Sequence, residues 1–247
     1  MTERYLYIDY APPSSSWLLT IMSHLNQSSS VTLRMRMQSW GATPLKQMGF
    51  ALSTKLAMIA QVVCRVDLQL QRLRSQLSNN TSAIEEHTRK GAAYRISDKD
   101  LPYELLIDLD SFLFESRSAY EIVGRFLKEF FERILDRKIN EDELKNMLST
   151  QGIDIRWIQV LHDSRILFFY HIAPWIVLDI ISVNPSRFDM VILKQDVKSL
   201  TNPDDYFHFN EFREIYQGFE SSMGMIHRWI IKQIEQFERE PDTTEAV

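Results

Sequence analysis

Two side chains past the middle of the chain are the first candidates for chemistry. Arg165 carries a guanidinium that keeps its proton, and His171 carries an imidazole that titrates near neutrality. Both lie in the run from Asp154 to Trp175, which reads as a helix stopped by Pro174. Proline donates no backbone bond and disfavours helical geometry at the residue before it, so the helix should end near Ile172 or Ala173. Wound as a helix, Trp157, Ile158, Leu161, Phe168, Phe169 and Ile172 share one face, with Arg165 in its middle. A guanidinium among apolar groups must find an anion. One reading makes Arg165 a core-edge cation held by a structural carboxylate. The other makes Arg165 and His171 a site.

The carboxylates come from an earlier helix, expected from about Asp100 to Arg137. Leu105, Leu109, Phe112, Ala119, Val123, Phe126, Phe130 and Ile134 form its apolar face. Asp108, Ser111, Glu115 and Ser118 make a polar stripe beside that face, and Asp110 lies elsewhere on the circumference. Asp108 and Glu115 are natural partners for Arg165; the alternative is that water solvates both.

The remaining elements follow from periodicity and punctuation. Residues 5–10 read as a strand, residues 17–25 as a short helix, and the rest up to residue 43 as an irregular link. Arg34 and Arg36 in that link are either a basic rim or simply solvated. Thr43-Pro44 starts a long helix to Ser78, with Leu52, Leu56, Ile59, Val63, Val66, Leu70 and Leu73 on one stripe. Residues 83–96 read as a connection with at most one helical turn. Asn140 caps a short helix to Leu148, and Gly152 breaks the chain before the arginine helix. Residues 175–183 and 188–193 form a hairpin across Asn184-Pro185, and the N-terminal strand is the candidate third. A final helix runs from Phe209 or Asn210 to Arg239. Three parts result: an N-terminal extension over 1–43, a helical bundle over 44–240 and a frayed tail over 241–247.

Composition narrows the classes of function. The 247 residues are 45% hydrophobic and 25% charged, which is globular usage, and the low counts of 7 Gly and 8 Pro favour long helices. The net charge of −5 argues against a broad nucleic-acid-coating surface. One cysteine, Cys64, excludes an internal disulfide framework and reads as an inert core residue, which fits a reducing cytoplasm. No secretory signal is expected, and the nearest apolar span, 166–181, is broken by His171, Pro174 and Asp179, so the protein is expected to be soluble and without membrane contact. No phosphate-cradling glycine loop, nucleophile-elbow serine or Glu-x-x-His pair occurs, and histidines 24, 87, 162, 171, 208 and 227 lack metal-ligand spacing. No cofactor or metal is expected.

Four long helices and a small sheet make a mainly α, up-and-down bundle, and here the chain resembles the HEPN superfamily. The resemblance rests on Asp108-Leu-Asp-Ser-Phe-Leu-Phe-Glu115 followed by Arg165-Ile-Leu-Phe-Phe-Tyr-His171 on a later helix. The family signature is an arginine, four to six residues, then a histidine near the end of a bundle helix. Five residues intervene here, and Ile166 stands where the common form has a polar residue. Arg156 and His162 show the same spacing within the same helix. The resemblance implies a metal-independent endoribonuclease, acting as a homodimer whose two motifs line one cleft, with an antitoxin-type protein as a possible partner. Arg165 would hold the phosphate, His171 would move protons, Asp108 or Glu115 would orient Arg165, and Tyr170 would touch RNA. It equally implies a second class, a non-catalytic dimeric binding or scaffold protein on the same fold.

Overall fold

The structure is a computed structural model that describes residues 16–38, 44–90, 96–170, 175–179, 189–193 and 206–239. Its elements in order are α1 (Ser16–Gln27), α2 (Val31–Gln38), α3 (Pro44–Ser78), α4 (Thr81–Lys90), α5 (Leu101–Arg133), α6 (Glu141–Thr150), α7 (Arg156–Tyr170), β1 (Trp175–Asp179), β2 (Asp189–Leu193), β3 (Tyr206–His208) and α8 (Phe209–Arg239). The chain is therefore mainly helical with a small antiparallel sheet.

Side-chain caps set where helices begin. The Leu101 N–H donates to Asp98 Oδ1 at 3.3 Å, the Glu143 N–H to Asn140 Oδ1 at 2.8 Å, and the Arg156 N–H to Asp154 Oδ1 at 2.9 Å. Left-handed residues set where two helices end. Asp136 at φ 54° turns the chain after α5, and the Arg137 N–H donates back to the Phe131 carbonyl at 2.9 Å. Gly152 at φ 75° does the same after α6, with the Ile153 N–H on the Leu148 carbonyl at 3.0 Å. Only glycine adopts that angle without strain from a side chain.

Two compact units divide the chain. The first is drawn from Met1–Met58, Ala119–Leu144 and Met225–Val247, and the second from Ile59–Ser118 and Lys145–Gly224. Aromatic rings fill the first. Trp17 meets Phe126 edge-on at 5.5 Å, Phe126 stacks with Phe130 at 5.9 Å, and Phe131 stacks with Trp229 at 4.8 Å. α1 lies close on α3: a Cβ at Gly49 would come within 2.5 Å of Leu18 Cδ1.

Arg34 and Arg36 correct the irregular link expected there, because α2 is helical. Arg34 Nη1 donates to the Ser28 and Ser29 carbonyls. Arg36 donates to the Ile134 carbonyl at 2.8 Å, pairs with Asp136 at 3.4 Å and lies over the Phe237 ring. It satisfies a carbonyl left open at the end of α5, which is a structural task. Eight residues with a single buried side chain, Leu33, carry almost no periodicity from which to read a helix.

In the second unit, α4 replaces the connection expected over 83–96. Its anchor is buried Ile84, which joins Leu73, Leu77 and Leu101 in one cluster. Cys64 is exposed, not a core residue. Val62 and Val66 on either side face inward, and two residues along a helix turn a side chain by about 200°. The hairpin is present, with β1 antiparallel to β2 from Trp175 opposite Leu193 to Asp179 opposite Asp189. The third strand is β3, paired with β2 from Val191 opposite His208 to Leu193 opposite Tyr206. The strand read over 5–10 lies outside the described residues, as does the expected proline stop at 174.

By length and composition α3 passes the measure for a membrane-crossing helix, with mean hydropathy 1.3 in its most apolar window and 33% of that window buried. This is a different segment from 166–181, the nearest apolar span by sequence. Core helices of globular proteins pass the same measure.

Candidate functional site

Trp157 fixes the start of α7. Its indole N–H donates to Ser222 Oγ at 3.1 Å, and its ring meets Phe219 edge-on at 5.8 Å. The ring lies so close to α8 that a Cβ at Gly218 would come within 2.4 Å of Trp157 Cδ1. From that anchor the helical repeat turns Leu161 and Ser164 inward. Arg165 falls at the edge of this buried arc and is partly buried, and Ile166 beside it is exposed. The described part of the apolar face is centred between Trp157 and Leu161, about 60° from Arg165; the side chains of Phe168, Phe169 and Ile172, the rest of the expected face, lie outside the described ones.

Asp108 and Glu115 are both buried, at 6% and 8% exposure, so neither is a solvated carboxylate. Asp108 is engaged from α3. Arg65 Nη2 donates to its Oδ1 at 2.6 Å, Arg65 Nε lies 3.1 Å from the same oxygen, and Gln69 Nε2 donates to Oδ2 at 2.7 Å. The Asp108 hydrogen bond raises the already high Arg65 pKa further. One turn along, Arg72 pairs with Glu104 at 2.6 Å and with Asp98. Arg65, Gln69 and Arg72 ascend α3 while Asp108, Glu104 and Asp98 descend, giving a polar seam between antiparallel helix segments.

Arg165 interacts with a carboxylate on another face of α5. Burial pushes the Asp110 carboxyl up, and the Arg165 charge pulls it back toward the ionised form. The arrangement sets a partly buried arginine near an acidic group, with the exposed side chains of Ile107 and Phe114 one turn to either side of Asp110. A fork of donors in that position can take up a phosphate or carboxylate oxygen pair.

Tyr170 is the last residue of α7, and His171 lies just beyond, outside the described residues. The pair Arg156 and His162 is exposed, and Arg156 is held by Asp154, with Nε 2.7 Å from Oδ2. Asp154, Arg156 and Trp157 line a cleft of about 450 Å3 at the start of α7. Among the described residues no three His, Cys, Asp or Glu side chains gather as metal ligands.

Sequence reasoning passed over Arg65, Gln69 and Asp110. Arg65, Gln69 and Arg72 recur at four- and three-residue spacing beside the α3 stripe, a signal that was readable. Asp110 had none, since its role depends on which face of α5 meets α7. Comparison with protein-family models, with curated proteins and with solved structures gives no match.

Proposed function

We propose that this chain is a cytoplasmic HEPN-like helical-bundle protein that cleaves RNA without a metal, as a homodimer. The observation that carries the reading is the place of Arg165: partly buried near the end of α7, with its charge felt by the Asp110 carboxyl of α5. In this reading Arg165 binds the scissile phosphate and stabilises charge on the phosphorane. His171 moves the protons as the substrate's 2′-hydroxyl attacks the adjacent phosphorus. Tyr170 stacks on or bonds to the RNA. Asp108 belongs to the α3 seam, which leaves buried Glu115 or Asp110 to orient Arg165. Tyr103, Ile107, Asp110 and Phe114 recur along one exposed face of α5, with Ile166 exposed next to Arg165. A second copy seated on that face would bring two Arg165 side chains together.

Purified protein should cut single-stranded RNA in EDTA and leave 2′,3′-cyclic phosphate ends, with DNA untouched. His171→Ala should slow cleavage by about 10²–10⁴. Light scattering should give twice the chain mass of 29.1 kDa. Equal cutting by wild type and His171→Ala would show that the activity is not this site's.

One observation favours a second reading, a non-catalytic dimeric binding or scaffold protein. Both Asp108 oxygens are taken up by Arg65 and Gln69, so the acidic stripe of α5 serves helix packing. Wild-type protein that dimerises yet leaves several RNAs intact would select it.

A further inference from the structure

A second candidate site lies in the first unit, in a groove of about 560 Å3 between α1 and α8. A helical repeat lines up its α8 wall: His227 and Arg228 on one turn, Lys232 on the next, then Glu235 and Gln236, then Arg239. His24 from α1 faces them. Arg228, Lys232 and Arg239 form no ion pair among the described residues, whereas Arg36, Arg133 and Arg137 of the same unit are each held by a carboxylate. With Glu235 as the one fixed acid in the lining, the groove carries a net charge of two positive before its histidines are counted. His227 Nε2 is buried and has no hydrogen-bond partner among the described residues. A buried ring nitrogen in that state lacks an acceptor for a second proton.

We infer that this groove binds a phosphate ester of a small hydroxylated compound, a sugar phosphate or a mononucleotide. The phosphate is held at the end where His24, His227, Arg228 and Lys232 converge, and the hydroxyls reach Glu235 and Gln236 one turn along. Charge and size agree with that class. A phosphate monoester carries about −1.5 to −2 near neutrality, and pockets for small molecules are commonly about 300–1,000 Å3. Inorganic phosphate alone would leave Glu235 and Gln236 unused. Burial, with the charges of His24 and Arg228, lowers the His227 pKa from its ordinary value, against a hydrogen bond with the Trp17 backbone that raises it. A phosphate dianion reverses that balance by offering an acceptor to the protonated ring; Lys232 and Arg239 oppose the extra proton and Glu235 assists it.

The test uses the full chain and three probes: ribose 5-phosphate, inorganic phosphate and ribose. Binding is followed by calorimetry and by the ring signals of His24 and His227 in nuclear magnetic resonance. Ribose 5-phosphate should bind and shift the His227 titration upward, inorganic phosphate should bind more weakly, and ribose should not bind. The double variant Arg228→Gln/Lys232→Gln, altered only at exposed positions, should keep its thermal melt and lose at least tenfold in affinity. Lys46→Gln, outside the groove, and His171→Ala should bind as wild type, the latter separating this site from the proposed cleavage site. Three outcomes would overturn the inference. They are no binding of ribose 5-phosphate at millimolar concentration, equal affinity in the double variant, and inorganic phosphate binding as tightly as the ester. An RNA oligonucleotide that binds through Arg228 and Lys232 while ribose 5-phosphate does not would also overturn it.

Discussion

Removing Arg65 should cost more than removing its partner Asp108, although the two make the same contact. The asymmetry comes from burial. The Arg65 side chain is 55% exposed and that of Asp108 is 8% exposed. An exposed pair is worth about 0.2–1 kcal/mol, and truncating one partner of a fully buried pair costs about 3–5 kcal/mol. Arg65→Met leaves a buried carboxylate with Gln69 as its remaining α3 donor, and should cost about 2 kcal/mol. Asp108→Ala frees Arg65 to turn into water and orphans only the neutral Gln69 amide, and should cost about 1 kcal/mol. A double-mutant cycle should return a coupling of about 1 kcal/mol, because the interaction is part-solvated. The cycle between Arg165→Met and Asp108→Ala should give less than about 0.5 kcal/mol, since Asp108 is already occupied from α3. Urea unfolding with a common slope measures all of these. A larger coupling for Arg165 than for Arg65 would refute the assignment and restore Asp108 as the motif arginine's partner.

Other perturbations test separate parts of the structure. Gly218→Ala should destabilise by about 1–3 kcal/mol, since its Cβ meets Trp157 Cδ1 at 2.4 Å; a stabilised variant would refute that packing. His227 is held below its ordinary 6.5, so the unfolded chain binds the extra proton first and stability should fall as pH drops through that value. His227→Gln should flatten this part of the pH–stability curve, and an unchanged slope would count against the buried ring. Cys64 should react with a thiol reagent in the native state, one group per chain; labelling that requires denaturant would contradict its exposure.

The amino-acid sequence by itself determined where most long helices lie. Apolar residues at three- and four-residue spacing in 44–78, 101–133 and 209–239 leave each segment one arrangement that buries its stripe, and Asp98, Asn140 and Asp154 supply the caps. The hairpin was legible for a similar reason, since branched residues on both sides of Asn184-Pro185 fit a pleated surface better than a helix. Short elements were not legible. α2 and α4 each depend on one buried anchor, Leu33 or Ile84, and a single residue has no period. β3 is three residues next to a helix start and exists because the edge of β2 is there to pair with. Only the tertiary structure decided which charges meet. A helical wheel placed Asp108 beside the apolar stripe but could not say which helix packs there; it is α3, with Arg65 and Gln69 on its facing turns. The same packing left Arg165 at the edge of the core with Asp110 for a neighbour. Periodicity is a property of one segment, whereas an ion pair belongs to two segments far apart in the chain. The position that brings them together is set by how all the apolar faces are covered at once.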